Sequence, residues 1–308
     1  ATHVLREVWR AQYIEEEEQL RWRALKEMPA AAEQISSPYD PDARYSTKRD
    51  VSWVGYKVHL TETCDPDTPH VITNVETTPA TTPDDKMVSV VHASLEQSEL
   101  LPSEHLVDKG YTDSHVLVES QRRHGVTIVG PVADDPSWQA RSGDGFTKAQ
   151  FQVDWDRQEI TCPEGKKSIS WLPNTYPQNG MQYEVRFARK DCTPCAMRSR
   201  CTRGKIEPRI IGLQARENYE ALHSARRHQV TKEFQDNYAS RAGIEGTHSQ
   251  ATRRCGLRRC RYIGLAKARL QHVITAATIN VVRIAEWHDG TPTAKTRMSH
   301  FAALQLAA

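Results

Sequence analysis

At 308 residues, with 38% hydrophobic and 26% charged side chains and a formal net charge of +2, the chain has the make-up of a globular protein of one large or two smaller domains. No low-complexity block is present, and no apolar run approaches the roughly 20 residues that a membrane-spanning helix needs. The N-terminus shows no basic start followed by an apolar core and a small-residue cleavage site, so the expectation is a cytoplasmic protein.

Residues 4–35 are rich in Leu, Ala, Glu and Arg at helical spacing, which predicts a helix or helical hairpin with an acidic spot, EEEE, at 15–18. A turn-rich link follows at 37–46. VSWVGYKVHL (51–60) and HVITNVETT (70–78) are β-rich, partly alternating and separated by DPDTP, and they predict a hairpin. Residues 83–98 read as a helix, 104–108 as a short apolar strand ending in Asp108, 112–125 as a helix with a Thr or Asp cap and a closing Gly, and 126–131 as a strand. Strand and helix thus alternate up to about residue 131, which argues for an α/β layer. Between 132 and 212 the chain changes character, with turn residues, short β-like pieces and four cysteines, and reads as an inserted module. From about 214 it turns helical again; 262–287 is apolar enough for a core helix, and 291–308 reads as a tail.

Three features could carry chemistry. An aspartate at the carboxyl end of a buried strand, as expected for Asp108, stands at the rim of a sheet where ligands gather in open α/β folds. Glu245 follows Tyr238 and Arg241 at i, i+3 and i+7, which puts the three on one face of a single helix, flanked by Gly243 and Gly246 where a backbone or ligand could approach closely. Spacing alone leaves Glu245 an ion-pair partner of Arg241, worth a fraction of a kcal/mol. Residues 241–270 carry eight Arg or Lys against that one acid, which fits either a nucleic-acid footprint or a solvated basic face. Cys162, Cys192, Cys195 and Cys201 lie in a turn-rich segment of poor core-forming composition, the setting of a structural zinc site. No βαβ pattern surrounds the Cys-x-x-Cys, which argues against a redox role. Cys255 and Cys260 lie among arginines, and Cys64 has no assigned role.

WVGYKVHL, LVDKGYTDS and YASRAGIEGTHSQATRRCGLRRCRYIGLAKARLQH, in this order, resemble the DDE transposases of bacterial insertion sequences over roughly residues 1–285. The resemblance implies a ribonuclease-H-like mixed sheet flanked by helices, formed by residues 1–131 and 213–290 and interrupted by the cysteine-bearing insertion at 132–212. It implies metal-dependent phosphodiester cleavage and strand transfer on double-stranded DNA, with Asp108 and Glu245 as ligands of Mg²⁺ or Mn²⁺. Tyr238 and Arg241 would position the DNA backbone, and Arg253, Arg254, Arg258, Arg259 and Arg261 would neutralise phosphates. A homodimer on paired element ends and a nucleoid location are implied by the family alone.

Two positions depart from the family pattern. Where it has a lysine seven residues after the glutamate, this chain has Thr252, with Arg253 beside it. The family's first aspartate has no counterpart: it would immediately precede Ala1, while Asp40 and Asp42 lie in a turn-rich link and do not match that motif. The expectation is therefore a copy lacking its first acid. The alternatives are a catalytically inactive DNA-binding remnant and a zinc-stabilised nucleic-acid-binding module.

Overall fold

A computed structural model describes residues 2–48, 50–176 and 180–291; the tail expected at 291–308 lies, from 292 on, outside the described residues. In chain order the elements are helix α1 (Thr2–Gln12), strands β1 (Tyr13–Glu16), β2 (Gln19–Trp22), β3 (Arg44–Lys48), β4 (Val51–Glu62) and β5 (Ile72–Pro79), α2 (Met87–Gln97), β6 (Glu104–Leu106), α3 (Ser114–His124) and β7 (Thr127–Val129). They continue as α4 (Trp138–Ser142), β8 (Gln152–Asp154), β9 (Glu159–Thr161), β10 (Ser168–Tyr176), β11 (Gly180–Phe187), α5 (Arg189–Cys192), α6 (Arg198–Cys201), β12 (Ile210–Gln214), α7 (Arg216–His228), α8 (Lys232–Ala239), α9 (Gly243–Cys255) and α10 (Leu265–His288). The chain divides into two compact units, residues 1–82 with 242–308, and residues 83–241.

In the first unit, β3, β4 and β5 form an antiparallel sheet, and the expected hairpin pairs in register from Tyr56 opposite Pro79 to Thr61 opposite Asn74. Helices α9 and α10 cover it through a core of Ile72, Ala251, Leu257, Ala276 and Ile279. The N-terminal segment departs from expectation. Helix ends at Gln12, and the chain turns into the β1–β2 hairpin, with Glu17 and Glu18 at its tip in left-handed backbone (φ 51° and 62°). Two forces favour the change: the run of like charges repels itself at helical spacing, and Tyr13 stacks between Trp9 and Trp22, at centroid distances of 4.7 and 4.3 Å.

Asp40 and Asp42 have structural work in this unit. Both Asp40 carboxylate oxygens accept the Tyr56 hydroxyl, at 2.7 and 2.8 Å, and Asp40 also accepts the Gly264 N–H. Asp42 accepts the Leu265 N–H at 3.0 Å. Two carboxylates from the link thus satisfy orphan donors at the positive end of α10, which lacks a side-chain cap of its own.

In the second unit β6 and β7 pair in parallel, and α2 and α3 pack on them through Val88, Val107 and Ile128. Helix α3 begins at an Asp113 cap and ends at Gly125 in left-handed backbone (φ 68°), as its sequence dictates. The strands β10, β11 and β12 form an antiparallel sheet over a separate core of Phe146, Phe151, Ile160, Val185, Phe187, Ile211 and Leu213. Strands β4–β5 and β6–β7 are assigned to separate sheets, so the mixed α/β character is present without one continuous mixed sheet among the described residues.

A histidine cluster lies under α2. His92 is fully buried, its Nε2 is 3.0 Å from His105 Nδ1, and its Nδ1 meets no partner among the described residues. Burial holds both imidazoles well below the usual histidine range, each at about 4. The unfolded chain takes up these protons near pH 6.5 and the folded unit only near 4, so their contribution to stability is complete above 6.5 and is lost as pH falls towards 4. Denaturant unfolding between pH 7 and 4 is expected to show this loss, and the double substitution His92→Leu, His105→Leu to flatten its slope. An unchanged slope in that variant assigns the acid sensitivity elsewhere.

Candidate active site

Asp108 follows buried Val107, whose N–H donates to Val129 O in the neighbouring strand. Gly130 makes this close approach possible, because a Cβ there would stand 2.6 Å from Val107 O. The chain then forms a 3-10 turn, Lys109–Tyr111, held by Thr112 Oγ1 donating to Lys109 O and Pro131 O. Asp108 is exposed at the head of this turn. Its Oδ1 accepts the Lys109 N–H at 2.8 Å, so the aspartate does cap a turn, one that the sequence left unremarked, and its Oδ2 lies 3.8 Å from Arg241 Nη2.

Arg241 in turn lies over the Tyr238 ring, 5.9 Å from its centroid, and Tyr238 stacks on buried Phe234. The second unit thus brings Asp108, Arg241 and Tyr238 together. Asp84 joins them: it lies against Gly110, where a Cβ would stand 3.2 Å from Asp84 Oδ2. Burial raises the Tyr111 phenol above its ordinary range, and the charges of Asp84 and Asp108 add to the rise. Sequence reading passed over Asp84; its one signal was an acid in PDDK at the threshold of α2.

Tyr238, Arg241 and Glu245 do not share a single α-helix. Helix α8 ends at Ala239, a 3-10 turn spans Ser240–Ala242, and α9 starts at Gly243. The run from Tyr238 to Glu245 is thus helical throughout, with a change of pitch in the 3-10 turn. At the start of α9 a Cβ on Gly243 would meet Glu62 Oε1 at 3.3 Å and His70 Nδ1 at 3.4 Å. The expected close approach is therefore real at Gly243, whereas Gly246 faces open space.

Glu245 is exposed in the first turn of α9, where the helix dipole favours a carboxylate. The helix is anchored two residues further on. Buried Thr247 donates to Glu62 Oε2 at 2.5 Å and accepts from Arg283 Nη2 at 2.6 Å. Arg283 Nη1 donates to Glu62 Oε2 at 3.0 Å and to His70 O at 2.6 Å, and Arg283 Nε to Gln250 at 3.3 Å. Strand β4, α9 and α10 meet in this network.

Arg253, Arg254, Arg258, Arg259 and Arg261 are all exposed, on the last turn of α9 and the loop after it, and none forms an ion pair among the described residues. Gln271 ties that loop to α10, accepting the Arg261 N–H and donating to Arg259 O. The four module cysteines line one pocket together with Lys166, Arg198 and Arg209. Among the described residues no three His, Cys, Asp or Glu side chains form a group that could hold a metal ion as they stand.

Residues 161–285, about two-fifths of the chain, match the family model described as "Transposase DDE domain". Over this span the chain is similar to the DDE domains of transposases. The matched span of this domain takes in all four module cysteines, Tyr238, Arg241, Glu245 and the five arginines, and leaves Asp108 outside. No curated protein and no solved structure matches the chain. No described helix is long and apolar enough to cross a membrane.

The network around Arg283 yields a stability test. Removing one partner of a buried ion pair leaves the other uncompensated, at about 3–5 kcal/mol. Arg283→Met is expected to lower the unfolding free energy by about 3 kcal/mol, and adding Glu62→Leu to recover part of the loss. A single variant as stable as the parent in urea unfolding would show that the pair contributes little.

Proposed function

We propose that this chain performs metal-dependent phosphodiester cleavage and strand transfer at the ends of a mobile DNA element, with Asp108 and Glu245 as the acids. The observation that carries the reading is the transposase DDE match, which contains Glu245 and its basic surroundings. Asp108 and Glu245 are exposed carboxylates at the heads of a turn and a helix, hard oxygen donors of the kind that suits Mg²⁺ or Mn²⁺. A divalent ion held by such carboxylates would supply Lewis acidity and lower the cost of ionising an attacking water or 3′-hydroxyl.

The chain's own residues do the rest. Arg241 beside Asp108 offers a planar donor fork to a phosphate, and the Tyr238 ring beneath it limits its motion. The five exposed arginines at the end of α9 neutralise backbone phosphates without reading sequence. Thr252 is half-buried, and exposed Arg253 beside it stands where the family pattern has a lysine. Asp40 and Asp42 serve as caps of α10, and this reading gives them no metal.

Asp108→Asn and Glu245→Gln are each expected to reduce Mn²⁺-dependent nicking of supercoiled plasmid by at least about 100-fold, while DNA affinity stays close to that of the parent. Nicking that survives Asp108→Asn removes that residue from the chemistry. DNA binding with no cleavage by the parent chain would instead identify an inactive remnant. Arg258→Ala and Arg259→Ala are each expected to weaken binding uniformly across sequences and to reduce the slope of log affinity against log salt by about 1. A preference for one sequence that vanishes with either substitution would make that arginine a base reader.

A further inference from the structure

We propose that Cys162, Cys192, Cys195 and Cys201 bind one zinc ion as a tetrathiolate centre, and that Arg209 is the cation that compensates its charge. Three separate stretches of chain deliver the sulfurs to one pocket. Cys162 follows β9, Cys192 ends α5 with Cys195 in the turn after it, and Cys201 ends α6. All four are half-buried, none is disulfide-bonded, and three of them pack against the Phe146–Phe187 core of the module.

The backbone around Cys162 is already shaped for a ligand. Its N–H donates to Lys166 O at 2.8 Å, Gly165 N–H donates to Cys162 O at 2.8 Å, and Gly165 adopts left-handed backbone with φ 74°. This tight turn aims the Lys166 N–H at Cys162 Sγ, at 3.3 Å. An N–H directed at sulfur stabilises a thiolate more than a neutral thiol.

The pocket wall carries Lys166, Arg198 and Arg209 alongside Glu164 and Asp191. Arg209 lines the pocket and is partly buried; its Nη1 donates to Cys201 O, and its buried Nε has no partner among the described residues. Asp135 and Cys201 are the groups whose negative charge would offset the cost of withdrawing this guanidinium from water. Arg198, also in the pocket wall, donates to Cys192 O at 3.0 Å. Zinc binding replaces four S–H protons, which pass to solvent, and leaves a centre of net charge −2 beside these cations.

The consequence is that folding of the β-rich module depends on metal, since a preformed site is absent from the unfolded chain. The proposal is independent of the phosphodiester reading, because Asp108 and Glu245 take no part in it.

The test uses the full chain, expressed with zinc and purified under reducing conditions. Elemental analysis is expected to find one zinc per chain, and cobalt substitution to give the visible bands of a tetrahedral thiolate site. Cys162→Ser with Cys201→Ser is expected to abolish both signals, whereas Cys255→Ser retains them. Because the double variant could fail to fold, the cobalt spectrum of the parent chain stands as a measurement without mutation. Arg209→Met is expected to weaken zinc affinity by about 10-fold at unchanged stoichiometry. Zinc-free parent protein, a cobalt spectrum without thiolate bands, or disulfides among these four cysteines in the reduced preparation would each overturn the site. Unchanged zinc affinity in Arg209→Met would overturn the role given to that arginine.

Discussion

The guanidinium of Arg283 is the point on which the first unit depends. From α10 it reaches Glu62 at the end of β4, Thr247 and Gln250 on α9, and the carbonyl of His70. The Glu62 side chain is 6% exposed, so a carboxylate and a guanidinium share a site almost without water. Such a pair contributes more to the choice of one arrangement than to net stability, because any other register would leave a buried charge unanswered. Gly243 belongs to the same constraint, since the carboxylate and His70 occupy the space a side chain would fill.

From that anchor the exposed ends of α9 follow. Thr247 is two residues beyond Glu245, so the first turn of α9 is held while its outer side presents an acid to solvent. At the other end, the arginine-bearing loop leaves α9 through Gly256 in left-handed backbone (φ 66°) and is tied to α10 through Gln271. The start of α10 is in turn capped by Asp40 and Asp42. One exposed acid and five exposed arginines thus rest on a scaffold with few degrees of freedom.

The second unit uses two devices. A parallel strand pair with no room at Gly130 presents Asp108 beside Arg241, and burial of Tyr111 between two carboxylates keeps that phenol protonated. The β-rich module has a compact aromatic core, but its three cysteine segments are short and turn-rich. Segments of that kind have little apolar surface of their own to bury, which is why their side-chain chemistry matters to the fold.

Much of this was legible in residue order. The hairpin at β4–β5, the capped helix α3, the core helix α10 and the change of character after residue 131 follow from periodicity, caps and turn residues, which act locally. The cysteine spacing, the acid at 245 and the basic run were equally plain, and the family match bears out the resemblance they carried. Other features depended on neighbours distant in sequence. The helical reading of 4–35 failed because aromatic stacking across a hairpin outweighed helix propensity. The single helix expected through Tyr238, Arg241 and Glu245 is instead two α-helices joined by a 3-10 turn at Ser240–Ala242. Asp40 and Asp42 looked like loose acids until tertiary contacts made them caps. Sequence alone determined which residue types are present and which local elements they favour, because propensity and patterning are short-range. Only the tertiary structure decided which acids cap a helix, which arginines are exposed and which cysteines share a pocket, because those outcomes depend on what burial brings together.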